Sequence, residues 1–258
     1  MITNLLLLAL LGTAVMTLYA VWKTYLRIEH SVLQNSQQMR ALFNELKAYH
    51  ELTKLLQLEA PLPAMRGWAA SPDFLLHVVS HALASRPATI VECSSGVSTI
   101  VLARCCELNG RGHVYSLEHD GHYAGITRDN IAAHGLEKWA TVLDAPIVPS
   151  AKAGGQPWYS THELDSIPGR ADLLVVDGPP GTISRLARYP ALPVLMPRLA
   201  DSCAVFMDDA LRPDERATVD RWLHEFPEFE AHELTAEKGC VLLQRRRGDA
   251  FTALRDAS

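Results

Sequence analysis

The segment from Met1 to Trp22 carries no charged side chain, and residues 5–11 are almost wholly aliphatic. As a helix of about 1.5 Å rise per residue it is roughly 33 Å long, enough to cross a hydrocarbon core of about 30 Å. Tyr19 and Trp22 lie where interfacial aromatics are expected, and Lys23 and Arg27 follow directly. Two readings are open. A cleaved signal peptide calls for a basic start and a small-residue cleavage site, and neither is evident. The reading taken is therefore a single-pass anchor over residues 1–22 in the inner or plasma membrane. Positive charge on its C-terminal side predicts that the rest of the chain is cytoplasmic.

Residues 24–58 contain neither Gly nor Pro and predict one continuous helix, a stalk over 23–60. Tyr25, Ile28, Val32, Met39, Leu42, Leu46, Tyr49 and Leu56 follow alternating spacings of three and four, interrupted at Asn35 and Thr53. This seam suits a coiled coil that pairs copies of the chain, with Asn35 setting register. It equally suits an amphipathic helix laid on the chain's own globular part or on the membrane. Pro61-Leu62-Pro63 ends the helix and opens the domain expected over 61–247, with a flexible tail over 248–258.

Beyond Pro63 the pattern alternates between short apolar runs and helical stretches. Runs at 89–93, 113–117, 140–143, 172–176 and 203–207 read as parallel strands covered on both faces. Helices are expected at 74–84, 97–108, 122–134 and 213–225. The last two runs, 229–234 and 240–244, are too close for an intervening helix and predict an antiparallel hairpin at the sheet edge. The fold class is α/β, a Rossmann-like doubly wound sheet. Over 258 residues the net charge is −5, which offers no electrostatic footprint for nucleic acid. The five cysteines form no C-x-x-C pair, so reduced thiols are expected.

Ligands of open α/β sheets bind at the carboxyl ends of the strands, and the polar residues of this chain collect at such ends. The first strand runs through Glu92 into the small-residue turn Ser94-Ser95-Gly96, which opens a helix at Val97-Ser98-Thr99. Ser94 and Thr99 stand where a pyrophosphate-binding G-x-G-x-x-G would have glycines, so a dinucleotide is disfavoured. Glu118 ends the second strand, 22 residues after Gly96, an offset at which a carboxylate accepts from ribose hydroxyls. Asp144-Ala145 ends the third strand, where an adenine ring is reachable. Asp177 ends the fourth and Asp208-Asp209 the fifth. Three carboxylates on one rim require a shared proton, a basic partner or a divalent cation. Hard oxygen donors suit Mg²⁺ or Mn²⁺, and helix capping is the structural alternative.

Glu92-x-Ser-Ser-Gly-Val-Ser-Thr, Ser116-Leu117-Glu118-His119-Asp120, Asp144-Ala145-Pro146, Asp177-Gly178-Pro179-Pro180-Gly181 and Asp208-Asp209 occur in that order. Together they resemble the class I S-adenosylmethionine-dependent methyltransferases, over about residues 65–245. The resemblance implies a seven-stranded sheet with its last strand antiparallel. It implies S-adenosylmethionine as cofactor, with Glu92, Ser94, Ser95, Gly96 and Ser98 around the methionine part. It further implies Glu118 on the ribose, Asp144 and Ala145 near the adenine, and Asp177 beside the transferred methyl. Two positions depart from the pattern. Ser94 stands where glycine is usual. The lysine that catechol O-methyltransferase-like enzymes carry after the first aspartate is absent, and Pro179 and Pro180 occupy that stretch.

The function expected is O-methylation of a sugar, lipid-linked or small-molecule hydroxyl at the cytoplasmic membrane face. Either Asp177 is the general base, with His119 as a second candidate, or a metal on Asp177, Asp208 and Asp209 lowers the hydroxyl pKa. Trp158-Tyr159 forms either a lip over the acceptor or a loop anchor. The competing expectation is a degenerate methyltransferase fold used as a membrane-tethered scaffold.

Overall fold

The computed structural model describes residues 2–58, 60–63, 65 and 69–246, so the expected tail over 248–258 lies outside the described residues. The chain divides into two units, Met1–Lys47 and Ala48–Ser258. The first is the greater part of one long helix, α1 (Ile2–Leu56). This helix is long and apolar enough to cross a membrane near its N-terminus, with a mean hydropathy of 2.1 over its most apolar window. Residues of the expected seam, Tyr25, Ile28, Val32, Met39, Leu42 and Leu46, are exposed.

The last turns of α1 belong to the second unit. Leu52 and Leu56 are fully buried in its core, and Ala48 nearly so. Arg104 closes the helix end, donating through Nε to Leu56 O (2.9 Å) and through Nη2 to Gln57 O (3.0 Å). The globular unit therefore begins well before Pro61, inside the stretch expected to be stalk.

The remaining elements are α2 (Pro72–Ser85), β1 (Thr89–Cys93), α3 (Val97–Asn109), β2 (His113–Glu118), α4 (Gly121–Ala133) and β3 (Ala140–Asp144). They continue with β4 (Ile147–Ser150), β5 (Gln156–Tyr159), β6 (Ala171–Val176), α5 (Ala191–Leu195), β7 (Leu199–Asp208), α6 (Pro213–Glu225), β8 (Phe229–Leu234) and β9 (Cys240–Arg245). Seven strands form one sheet in the order β3-β2-β1-β6-β7-β9-β8. β9 pairs antiparallel with both neighbours, while β3, β2, β1, β6 and β7 run parallel. The expected fold class is thus observed.

The central strands are apolar on both faces because each face has its own cover. Ile90, Leu173, Val175, Ala204 and Phe206 pack with α2, α3, α4 and the end of α1. Their neighbours Val91, Leu174, Val176, Val205 and Met207 pack with α5, α6 and the β4–β5 hairpin. The period of two along each strand sends alternate side chains to the two layers. Chain order reverses between β1 and β6, which places a crevice at their carboxyl ends.

Candidate active site at the carboxyl ends of the strands

β1 carries Glu92 next to its carboxyl end, with no exposed surface. Its Oε2 accepts from Thr99 Oγ1 and Ser116 Oγ, each at 2.6 Å, while Oε1 has no partner within hydrogen-bond distance among the described residues. Burial raises the carboxyl above its ordinary pKa. Hydroxyls of Ser116, Ser98 and Thr99 oppose the rise, and the charge of Glu118 adds to it. The chain then turns through Ser94 at φ +97° and Gly96 at φ +155°. Positive φ is easy for glycine and strained for serine. A Cβ on Gly96 would meet nothing within 4 Å, so this bend faces open space.

Glu118, expected as a free strand-end acceptor for ribose, is 4% exposed. Its Oε2 accepts from Ser95 N (3.0 Å) and Ser95 Oγ (2.9 Å). Its Oε1 accepts from His119 N (2.9 Å) and Asp120 N (3.0 Å). Four donors fill the four lone-pair positions of a carboxylate. A buried charge demands such pairing, and here it ties the first turn to the end of β2. Ser95 Oγ also lies 3.1 Å from Thr127 Oγ1, a second partner for the same hydroxyl. His119 is partly exposed, with Nδ1 3.0 Å from Glu118 Oε1 but outside hydrogen-bond geometry.

Asp144 is 69% exposed and pairs with Arg128 Nη2 at 2.8 Å. Ala145 is buried, and its N–H donates to Glu118 O at 2.7 Å. These two flank the end of β2 through backbone rather than through a free side chain.

The three aspartates do come together. One carboxylate oxygen from each of Asp177, Asp208 and Asp209 lies within 4.8 Å of the others. The group that compensates them is Arg188, which is 4% exposed. Its Nη2 donates to Asp209 Oδ2 (2.7 Å) and Asp177 Oδ1 (3.2 Å), and its Nη1 donates to Asp208 O (2.9 Å). Glu215 Oε1 stands 3.7 Å from Nε, and Arg212 Nη1 lies 2.9 Å from Asp209 Oδ2. A divalent cation needs oxygens at about 2.0–2.6 Å. The guanidinium already holds Asp177 Oδ1 and Asp209 Oδ2, so the present arrangement does not fit the expected Mg²⁺ or Mn²⁺.

Burial raises Asp177 to about 7, against the pull of Arg188 and with the charges of Asp209 and Glu92 adding to the rise. Asp208 is raised to about 8, again by burial first and then by Asp177 and Asp209.

Trp158 and Tyr159 sit on β5 and are 0% and 1% exposed, so they anchor the hairpin rather than form an open lip. The Tyr159 hydroxyl has no hydrogen-bond partner among the described residues. It packs beside Gly178, where an added Cβ would meet Tyr159 Oη at 2.5 Å and Ser94 Cβ at 2.9 Å. Burial holds this phenol well above its usual pKa, and nearby Cys93 and Glu118 add to the effect.

Arg188, Glu215 and Thr127 are the residues that sequence reasoning missed. Arg188 sits just before α5 in Arg185-Leu-Ala-Arg188-Tyr-Pro, with no strand or cap to mark it. The available signal was electrostatic: three rim carboxylates require a cation, and this arginine follows Asp177 by 11 residues.

Residues 91–210 match a family model described as a methyltransferase domain. Comparison with curated proteins finds no match. Among solved structures, a methyltransferase of Podospora anserina bound to S-adenosylhomocysteine superposes with a TM-score of 0.58 at 14% identity, covering 82% of this chain and 96% of that one. An O-methyltransferase of Bacillus cereus in complex with S-adenosylhomocysteine gives 0.54 at 17% identity, covering 78% and 91%. The O-methyltransferase TomG of Streptomyces achromogenes, in complex with S-adenosylmethionine, gives 0.52 at 16%, covering 78% and 88%. At these identities the structural likeness speaks for the fold. Residues 91–210 thus match a methyltransferase domain, and the seven-stranded sheet with its antiparallel β9 is the fold shared with these methyltransferase structures.

Proposed function

We propose that this protein transfers a methyl group from S-adenosylmethionine to a hydroxyl acceptor, with Asp177 taking the acceptor's proton. The observation that carries this reading is a set of buried polar atoms without partners at one end of the sheet: Glu92 Oε1, Tyr159 Oη and Asp209 Oδ1. Native interiors leave few such atoms, and each calls for an explanation. A polar ligand in the crevice supplies one.

The residues suit the cofactor. Glu92 offers an unpaired acceptor to a cationic amino-acid group, and the Ser95–Gly96 bend borders open space. Glu118 reaches a ribose diol once Ser95 Oγ rotates to Thr127 Oγ1 and frees one lone pair. Asp144 and Ala145 border the adenine side. The cofactor supplies an electrophilic methyl on a sulfonium, so the protein's task is to position an acceptor and remove its proton. Asp177 is 12% exposed and raised to about 7, which keeps a useful fraction ionised and basic near neutral pH. The buried Trp158-Tyr159 pair closes the neighbouring wall to water. His119, beside Glu118 and partly exposed, is the second base candidate.

The apolar start of α1 anchors the chain in the inner or plasma membrane. Lys23 and Arg27 keep the domain cytoplasmic, and sugars or lipid-linked hydroxyls are natural acceptors there. The exposed seam of residues 25–46 pairs copies of the chain. The saturated Glu118 and the strained Ser94 favour a second reading, a domain that has lost its cofactor and serves as a tethered scaffold.

Calorimetric titration of the full chain in mild detergent with S-adenosylmethionine and S-adenosylhomocysteine separates the two. Binding of either at micromolar levels is expected. Binding of neither removes the enzyme reading and leaves the scaffold.

A further inference from the structure

We propose that Arg188 is a built-in cation that fills, with its guanidinium, the place a divalent ion would take among Asp177, Asp208 and Asp209, and that it thereby positions the Asp177 carboxylate. The role assigned to Asp177 rests on the function proposed above; the exclusion of a metal ion stands on geometry alone.

Three features carry the inference. The guanidinium lies inside the acidic group rather than at its border, with Nη2 bridging Asp177 Oδ1 (3.2 Å) and Asp209 Oδ2 (2.7 Å). It is fixed independently of those side chains, because Nη1 donates to the backbone oxygen of Asp208 at 2.9 Å. It is also 4% exposed, and Glu215 lies at 3.7 Å on its Nε side, so it cannot swing out to solvent without leaving the Asp177 and Glu215 carboxylates without this cation. A planar fork with several donors holds two carboxylates at fixed angles, which a single ammonium cannot do. One oxygen of Asp177 is thereby held toward Arg188, and the other is left for a ligand. Arg188 is accordingly a positioning residue, acting on the acceptor's proton only through Asp177.

The consequence is a latent metal site. Removing the guanidinium leaves three carboxylate oxygens within 4.8 Å of one another, a donor set suited to a hard divalent ion. The test is Mn²⁺ titration of the full chain in mild detergent, read by the paramagnetic resonance of free Mn²⁺ without cofactor or acceptor. The wild type should show no site tighter than millimolar at this rim, and Asp209→Asn should leave its titration unchanged. Arg188→Met should gain a site at least tenfold tighter, lost again when Asp209→Asn is added. Arg188→Gln, which keeps a donor for Asp208 O, is measured in parallel in case the Met variant does not fold.

A wild-type site tighter than millimolar that Asp209→Asn abolishes overturns the proposal. So does a folded Arg188 variant that gains no Mn²⁺ site. The readout needs no cofactor, so failure to bind S-adenosylmethionine would sink the methyltransferase reading and leave this result standing.

Discussion

Gly178 follows Asp177 at the end of β6, and replacing it with alanine tests the packing that holds the crevice together. The added methyl would sit 2.5 Å from Tyr159 Oη, 2.9 Å from Ser94 Cβ and 3.2 Å from Cys93 O. The two strand ends cannot easily part, because Asp177 N donates to Cys93 O at 3.2 Å and Ser94 N donates to Leu117 O at 3.0 Å. Overpacking of this kind costs about 1–3 kcal/mol, and with two contacts under 3 Å the upper half of that range applies. At about 2–4 °C per kcal/mol, Tm should fall by roughly 4–12 °C. Tyr159→Phe alone should be neutral within about 0.5 kcal/mol or stabilising, since it removes a buried hydroxyl that bonds to nothing. Combined with Gly178→Ala it removes the 2.5 Å contact and should recover about 1 kcal/mol. Urea unfolding in mild detergent, followed by the fluorescence of buried Trp158 and Trp222, reads all four corners of the cycle. A cost of Gly178→Ala alone under about 0.5 kcal/mol, or strict additivity in the double variant, would refute the steric argument.

Asp177 must be ionised to take a proton, and its pKa is raised to about 7. Methyl-transfer rate should therefore climb about tenfold per pH unit below that point and level off above it, as an initial-rate pH profile would show; a flat profile between pH 5 and 8 contradicts the assignment. Asp208 is raised to about 8, above its unfolded value near 3.9, so the folded chain binds the extra proton and loses stability as pH rises between those limits. Asp208→Asn, whose amide oxygen still accepts from Asp209 N, should melt several degrees above wild type at pH 8.5. That difference should shrink toward pH 5 in thermal scans, and a growing gap on acidification would reverse the sign of the argument. The Arg128–Asp144 pair is exposed on both sides, so Asp144→Ala should change stability by less than about 0.5 kcal/mol in chemical denaturation. Any marked loss of cofactor affinity in that variant would tie Asp144 to ligand binding instead.

Much of the sheet was legible because buried parallel strands announce themselves as apolar runs. All seven of its strands fall where those runs lie, and β9 runs against the rest as expected. The β4–β5 hairpin was not legible. Pro149 and Pro157 face each other across it, and Gly154-Gly155 forms its turn, a composition that reads as loop. Proline is tolerated there because a two-stranded ribbon is all edge. The burial of the end of α1 was not legible for a related reason. Leu52 and Leu56 lie in the same unbroken helix as the residues before them, and nothing in a helical repeat marks the turn at which an apolar face enters a core. A soluble fragment cut near residue 60 would discard those side chains.

The sequence by itself determined the apolar lead helix, the alternation of strands and helices, and the placing of acidic residues at strand ends. These are local properties of spacing and hydropathy. Only the tertiary structure decided what the acidic residues do: Glu118 is saturated by the neighbouring turn, and the rim aspartates close around Arg188. A carboxylate's role depends on which donors surround it in space, and those arrive from segments that spacing along the chain does not connect.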